Sequence, residues 1–293
     1  MAILPAITLE KYHSEYKNLP SPTVLAEALH SPYHLAYYVN HADKMKPSDE
    51  YNFGTLIHEF IENKFVFPDA QYERVGEFYQ RASGKAKAGD PKLDDDGDPK
   101  FTYECKANPD KSLTAAKSKL ADIVIAGLSG CKEARDMFSK GKLIIEQSMT
   151  GKINGVECKC RPDIMLEFNN HICLVEIKTT KQCLIEMEGF ARDFFDYNYD
   201  LQCCMEAEIT QQNYPEKTVE IVVLAVSSDL PAGAAIFDMP ETLVKTGKDK
   251  VERALAVWKQ HQEKPAPEFY FVPRRQIEPS FRALNYTVER GIE

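Results

Sequence analysis

The clearest regularity in the chain is an alternation. In Leu174-Val175-Glu176-Ile177-Lys178 apolar and charged side chains take turns, the period-two pattern of a strand, which puts Glu176 and Lys178 on one face and Val175 and Ile177 on the other. The pattern predicts a strand over 171–180. Residues 156–168 read as a strand carrying Asp163, and 143–150 as one containing Glu146. Turns at 151–155 and at Asn169-Asn170 join them, so three strands in antiparallel succession are expected. Further on, 221–226 (IVVLAV) suits a buried strand and 234–239 an edge strand.

Around these strands the period changes to that of a helix. Ser21-Pro22 and Ser31-Pro32 read as a cap followed by a first-turn proline. The first opens an apolar face of Val24, Leu25, Ala28 and Leu29. The second leads into Tyr33, Leu35, Ala36, Tyr37 and Tyr38, which reads as core packing or as a wall on which DNA ends stack. In 53–65 the residues Leu56, Ile57, Phe60 and Ile61 fall at helical spacing, and His58 and Glu62, four apart, share a face. Gly54 there allows close approach of another backbone. The segment 112–138 is helical in pattern, with breaks expected at Gly127 and Gly130. Helices are also expected over 184–197, 199–211 and 240–262. Residues 1–20 read as irregular or extended, 66–110 as a mobile surface loop, and the proline-bearing tail from 268 as lying across the body. The arrangement predicts one α/β domain over 1–293, with an N-terminal helical part over about 20–140 and a core over about 141–262.

Composition narrows the class. A chain with 43% hydrophobic and 28% charged residues is ordinary for a globular protein. No apolar run is long enough to span a bilayer, and the N-terminus lacks the pattern of a signal peptide. Eight cysteines without a C-x-x-C pair read as buried free thiols in a reducing cytoplasm. The net charge of −9 argues against nonspecific coating of nucleic acid, yet leaves room for an enzyme with a local basic channel. Neither Gly84 to Gly89 nor Asp94 to Asp98 completes a phosphate or calcium loop, because the residues those loops require next are missing.

Charge on an apolar strand needs an explanation, since burying it without partners is costly. Asp163, Glu176 and Lys178 either form an internal ion pair or bind something. Short acidic–basic patterns are common, so the bare spacing leaves both readings open. Two hard oxygen ligands with a lysine beside them have the chemistry to hold Mg²⁺ or Mn²⁺ and to orient a water for attack on a phosphodiester. A neutral His58 would make a further ligand.

The accompanying motifs change the balance. Arg161-Pro162-Asp163 and Glu176-Ile177-Lys178 resemble the PD-(D/E)xK nucleases. Gly54-x-x-x-His58, Glu146, Cys158-Lys-Cys-Arg-Pro-Asp163, Glu176-Ile-Lys-Thr-Thr180 and Tyr197-x-Tyr199-x-x-Gln202 resemble in particular the phage- and prophage-type RecE exonucleases, the exonuclease VIII catalytic domain. The resemblance runs from about residue 20 to about 270. It implies a restriction-endonuclease-like core, a central mixed β-sheet flanked by helices. It implies His58, Asp163, Glu176 and the Ile177 backbone carbonyl as ligands of one or two Mg²⁺ or Mn²⁺ ions, with Glu146 holding the second. Lys178 would be the catalytic lysine, with Tyr199 and Gln202 positioning it or the substrate. Lys159, Arg161, Lys181, Arg274 and Arg275 are the candidate DNA contacts. The implied activity is 5′-to-3′ digestion of linear duplex DNA, leaving 3′ tails for a RecT-like annealing protein. The implied assembly is a ring-shaped trimer or tetramer in the cytoplasm of a bacterium or phage-infected cell. An endonuclease, a single-strand-specific nuclease or a catalytically silent DNA-binding protein of the same fold are the alternatives.

Overall fold

A computed structural model describes residues 2–4, 7, 9–42, 48–65, 72–76, 87, 89–94, 97–106 and 108–267. In chain order the elements are β1 (Ala2–Ile3), α1 (Leu9–Glu15), α2 (Pro22–His30), α3 (Pro32–His41), α4 (Asp49–Glu62), β2 (Tyr72–Gly76), β3 (Phe101–Cys105), α5 (Ala115–Gly130), α6 (Lys132–Ser139), β4 (Lys142–Ile145), β5 (Met149–Ile153), β6 (Val156–Cys160), β7 (Ile164–Glu167), β8 (His171–Thr180), α7 (Met187–Asp196), α8 (Tyr199–Asn213), β9 (Thr218–Ser227), β10 (Ala234–Asp238) and α9 (Glu241–Glu263).

The main sheet has the order β10-β9-β8-β7-β4 and is mixed: β8 and β9 run parallel and the other neighbours antiparallel. A parallel pair needs a long crossover, and α7 with α8 provides it. Burial on both faces follows from the alternation in β8. Val175 and Ile177 join a core with Phe53, Leu56, Ile57 and Phe60 of α4 and Val124 of α5. Leu174 and Ile172 face the opposite core, with Leu201 and Met205 of α8 and Leu255 and Trp258 of α9. The four α4 positions recur at helical spacing and are almost fully buried, each worth about 1.5–3 kcal/mol. The helix caps on Ser48, whose side chain accepts from the Tyr51 N–H at 3.1 Å, with Asp49 and Glu50 at the positive end. Ser21 and Ser31 cap α2 and α3 as expected, accepting from Val24 and His34. In α3, Leu35 and Ala36 are buried while Tyr37 is exposed.

Several expectations are corrected. The 1–20 segment contains α1. Within 66–110, β2 and β3 pair as a hairpin and bury Tyr72, Tyr103 and Cys105 in the core. The long helix breaks only after Gly130, with Gly127 inside α5. Gly54 does sit at a close approach, to β8: a Cβ there would stand 3.3 Å from the Thr179 hydroxyl, tighter than ordinary contact. Cysteines 105, 158, 160, 173, 203 and 204 are buried, but Cys183 is exposed and Cys131 intermediate.

The most consequential correction concerns the strands. The expected 143–150 strand is two, β4 and β5, and the expected 156–168 strand is also two, β6 and β7. Paired β4 and β7 belong to the main sheet, whereas paired β5 and β6 form a second sheet with β1, in the order β1-β5-β6. Both chains leave one sheet for the other at the same level. Glu146 and Asp163 sit at the two departures, joined by the Glu146 N–H donating to the Asp163 carbonyl at 3.0 Å. Pro162 ends β6, since it has no N–H for the ladder. Glu146 takes a positive φ of 48°. Neither acidic residue lies inside a strand. Among the described residues, no helix is long and apolar enough to cross a membrane.

Candidate active site

Four elements bring the candidate residues together. Gly54 lets α4 settle against Thr179, and one helical turn later His58 reaches the sheet. Its Nδ1 stands 3.7 Å from Asp163 Oδ1 and 4.0 Å from Glu62 Oε1. The Ile177 backbone hydrogen-bonds the imidazole, while the Ile177 N–H donates to Asp163 Oδ2 at 2.8 Å. From β8, Glu176 is fully buried, and Lys178 Nζ donates to its Oε2 at 2.9 Å and lies 3.8 Å from Asp163 Oδ2. From α8, the Gln202 amide donates to Glu176 Oε2 at 2.8 Å and to Glu206 Oε1 at 3.2 Å. The Tyr199 ring lies 5.2 Å from Lys178 Nζ, so Tyr199 meets the lysine through its π face.

The electrostatics follow from three buried carboxyls sharing one ammonium. Burial raises Asp163 to about 7, with the Glu176 charge pushing the same way and Lys178 opposing. Burial pushes Glu176 up too, but Lys178 and a hydrogen bond from Glu206 hold it below the ordinary carboxylate range. Burial and then Glu176 push Glu206 well above that range, favouring its protonated form. Burial alone would lower Lys178; Glu176 and Asp163 outweigh it and raise the lysine. Burial, then Lys178, depresses His58 to about 4 and keeps the imidazole neutral. Glu62 rises to about 8 through burial, then through Glu146 and Asp163.

The sequence reading missed Glu206 as a site residue and took Glu62 only as a helical neighbour of His58. Glu206 falls one turn beyond Gln202, on the face of α8 turned to Glu176. That spacing was the available signal.

Not every candidate joins this group. Arg161 pairs with Glu146 at the mouth, with Glu146 about half exposed. Lys159 turns inward: its Nζ donates to the Tyr12 carbonyl at 3.0 Å and lies over the Tyr12 ring, and burial lowers it to about 8. Lys181 is outside, paired with Glu50 at 2.8 Å. Arg274 and Arg275 lie outside the described residues.

The donor set suits a hard divalent cation. Two carboxylates, a neutral imidazole and a backbone group at Ile177 converge. Among the described residues no donor other than a proton shared between the two acids reaches the buried Glu176 Oε1 and Glu206 Oε2. One shared proton would serve both oxygens, and so would a cation. Among the described residues no three His, Cys, Asp or Glu side chains form a ready-made metal cluster; the Lys178 ammonium stands 2.9 Å from Glu176 and 3.8 Å from Asp163.

A family model described as a PDDEXK-like domain of unknown function (DUF3799) matches residues 13–268. The mixed sheet flanked by helices is that of a restriction-endonuclease-like fold. No curated protein matches the sequence. Among solved structures, a protein described as a "Putative exonuclease" from Eubacterium rectale aligns over 97% of this chain and 99% of its own. The identity is 15% and the TM-score 0.57, a likeness of fold. A second, the protein SSO0001, aligns over 46% of this chain and 67% of its own, with 15% identity and a TM-score of 0.25.

Proposed function

Because the chain belongs to the PDDEXK-like DUF3799 family, we propose that it is a divalent-metal-dependent nuclease that digests one strand of linear duplex DNA from its 5′ end. The single observation that carries this reading is the convergence of His58, Asp163, Glu176 and Lys178 on one point of the main sheet. The description of its fold neighbour as an exonuclease supports dependence on a DNA end.

In this reading Asp163, Glu176, His58 and the Ile177 carbonyl hold Mg²⁺ or Mn²⁺, and Glu146 reaches a second ion. A cation held there would supply a water of lowered pKa and would stabilise negative charge on the phosphoryl oxygens. Lys178 orients the attacking water and faces the charge that develops on the phosphate. Gln202 and Glu206 fix the Glu176 carboxylate through hydrogen bonds. Tyr199 holds the lysine ammonium over its ring. The products are 3′ single-stranded tails for an annealing protein of the RecT kind, and the working form is a ring-shaped trimer or tetramer.

The test is digestion of end-labelled DNA in Mg²⁺. Linear duplex with a 5′ phosphate should be shortened from that end, while covalently closed circles survive. Asp163→Ala and Lys178→Ala should each abolish the reaction. Degradation of the closed circle would overturn the end-dependent reading, and unchanged activity in either variant would overturn the site.

A further inference from the structure

Tyr197 is 62% exposed, yet it is rigidly framed. Its N–H donates to the Asp193 carbonyl at 2.9 Å, ending α7, and Asn198, left-handed at φ 59°, turns the chain into α8. Asparagine is one of the few residues that accept this conformation readily. The frame sets the Tyr197 ring 5.8 Å from the Tyr199 ring at 42°. Tyr199 in turn is held edge-on by Phe194 at 5.8 Å and 70°, and carries the Lys178 ammonium 5.2 Å from its centroid. An aromatic line therefore runs from the lysine outward and ends in an open ring. Lys181 is placed near this ring by its neighbours: Thr180 and Gln182 donate to the Asp193 carboxylate at 3.1 and 3.2 Å, one helical turn before Tyr197, while the exposed Lys181 ammonium pairs with Glu50 at 2.8 Å. A lone exposed aromatic needs no explanation on most surfaces. This one is a fixed ring, coupled through a second ring to the group that faces the reacting phosphate, with a cation at its side.

We propose that Tyr197 and Lys181 form a binding subsite for one unpaired nucleotide next to the phosphodiester held at Lys178, the ring stacking on its base and the ammonium facing its phosphate. The proposal rests on the nuclease reading above. Every base has a π face, so such a subsite holds a nucleotide without reading its identity, as a processive or end-trimming nuclease requires. It favours a base already out of the helix, because a paired base does not offer its face to a protein ring.

The experiment measures binding of the full chain to a fluorescein-labelled single-stranded oligonucleotide in EDTA, so that nothing is cut. A parallel series carries an abasic residue at each successive position. Tyr197→Ala should weaken binding about 5- to 150-fold, the range that base–aromatic stacking supplies, while Tyr197→Phe binds as the unmodified protein does. One abasic position should weaken the unmodified protein by a similar factor and cost Tyr197→Ala nothing further, because the same contact is lost once. Lys181→Ala should lower the slope of log affinity against log salt by about one. Equal affinity of Tyr197→Ala and the unmodified protein would overturn the subsite alone, as would an abasic penalty undiminished in Tyr197→Ala. Absence of binding to the single strand by the unmodified protein would overturn the subsite, whereas the nuclease reading falls only if linear duplex also survives in Mg²⁺.

Discussion

Lys178→Met keeps the length of the side chain and removes its charge. Glu176, fully buried, loses the ammonium at 2.9 Å, and Asp163 loses the same group at 3.8 Å. What remains to Glu176 is the Gln202 amide at 2.8 Å and the Glu206 acid. Breaking a buried pair by deleting one partner costs about 3–5 kcal/mol. At about 2–4 °C per kcal/mol for a chain of a few hundred residues, melting should fall by roughly 6–20 °C. The sign with pH is definite. Lys178 holds Glu176 below the ordinary carboxylate range, so its stabilisation is present above the unfolded value and fades as pH falls through the folded one. The gap between native protein and variant should therefore be wide at pH 8 and narrow at about pH 3, below the ordinary value of 4.5. Mg²⁺ should raise the melting point of the variant by mass action, since a cation then occupies the charge-poor space. Thermal melts in EDTA at both pH values, followed by a Mg²⁺ titration, measure all three effects. Equal melting points at pH 8, or a gap that does not narrow on acidification, would refute the account of Glu176 as a buried anion stabilised by this lysine.

Glu62 rises from an ordinary 4.5 to about 8, so the folded protein keeps a proton that the unfolded chain releases. Stability should fall as pH climbs through that window, and Glu62→Gln should flatten the profile, melting higher than the native protein at pH 9 but not at pH 4. Gln202→Ala should reduce nuclease turnover by about 10- to 100-fold with little change in oligonucleotide affinity, because it removes an amide that orients a ligand. Gly247→Ala places a Cβ 2.3 Å from the Asp200 carbonyl and 2.6 Å from Cys204 Sγ. Overpacking of about 1–3 kcal/mol should outweigh the helix-propensity gain of about 1 kcal/mol, and a lower melting point measured by circular dichroism checks it.

The β8 strand was legible because its alternation is local: Glu176 and Lys178 share a face, and the boundaries at 171 and 180 come out as read. The position of Asp163 was legible in identity and not in setting. Nothing in a run of alternating residues says that a strand changes sheets, and Pro162 was the only local mark of it. Glu146 shares that fate, since its positive φ is set by the neighbouring departure at Asp163 and not by its own propensity. Lys159 misled because a lysine between two cysteines reads as a surface charge. Its ammonium finds a carbonyl and a ring on α1, a helix whose contribution no periodicity predicts. Glu206 was hidden by its type: a glutamate in a helix ordinarily faces solvent, and only the packing of α8 on β8 shows that this one is buried beside Glu176.

Lys250 of α9 donates at 2.8 Å both to the buried Asp200 carboxylate, one residue into α8, and to the Phe195 carbonyl. Until α9 arrives, Asp200 lacks this cation beneath the helix that carries Gln202 and Glu206, and α8 is held to the sheet by its apolar face without that ion pair. During synthesis the ordering is fixed: Glu176 and Lys178 emerge some seventy residues before the lysine that locks their opposing helix. The emerging chain thus carries Glu176 and Lys178 well before the lysine that fixes the helix facing them.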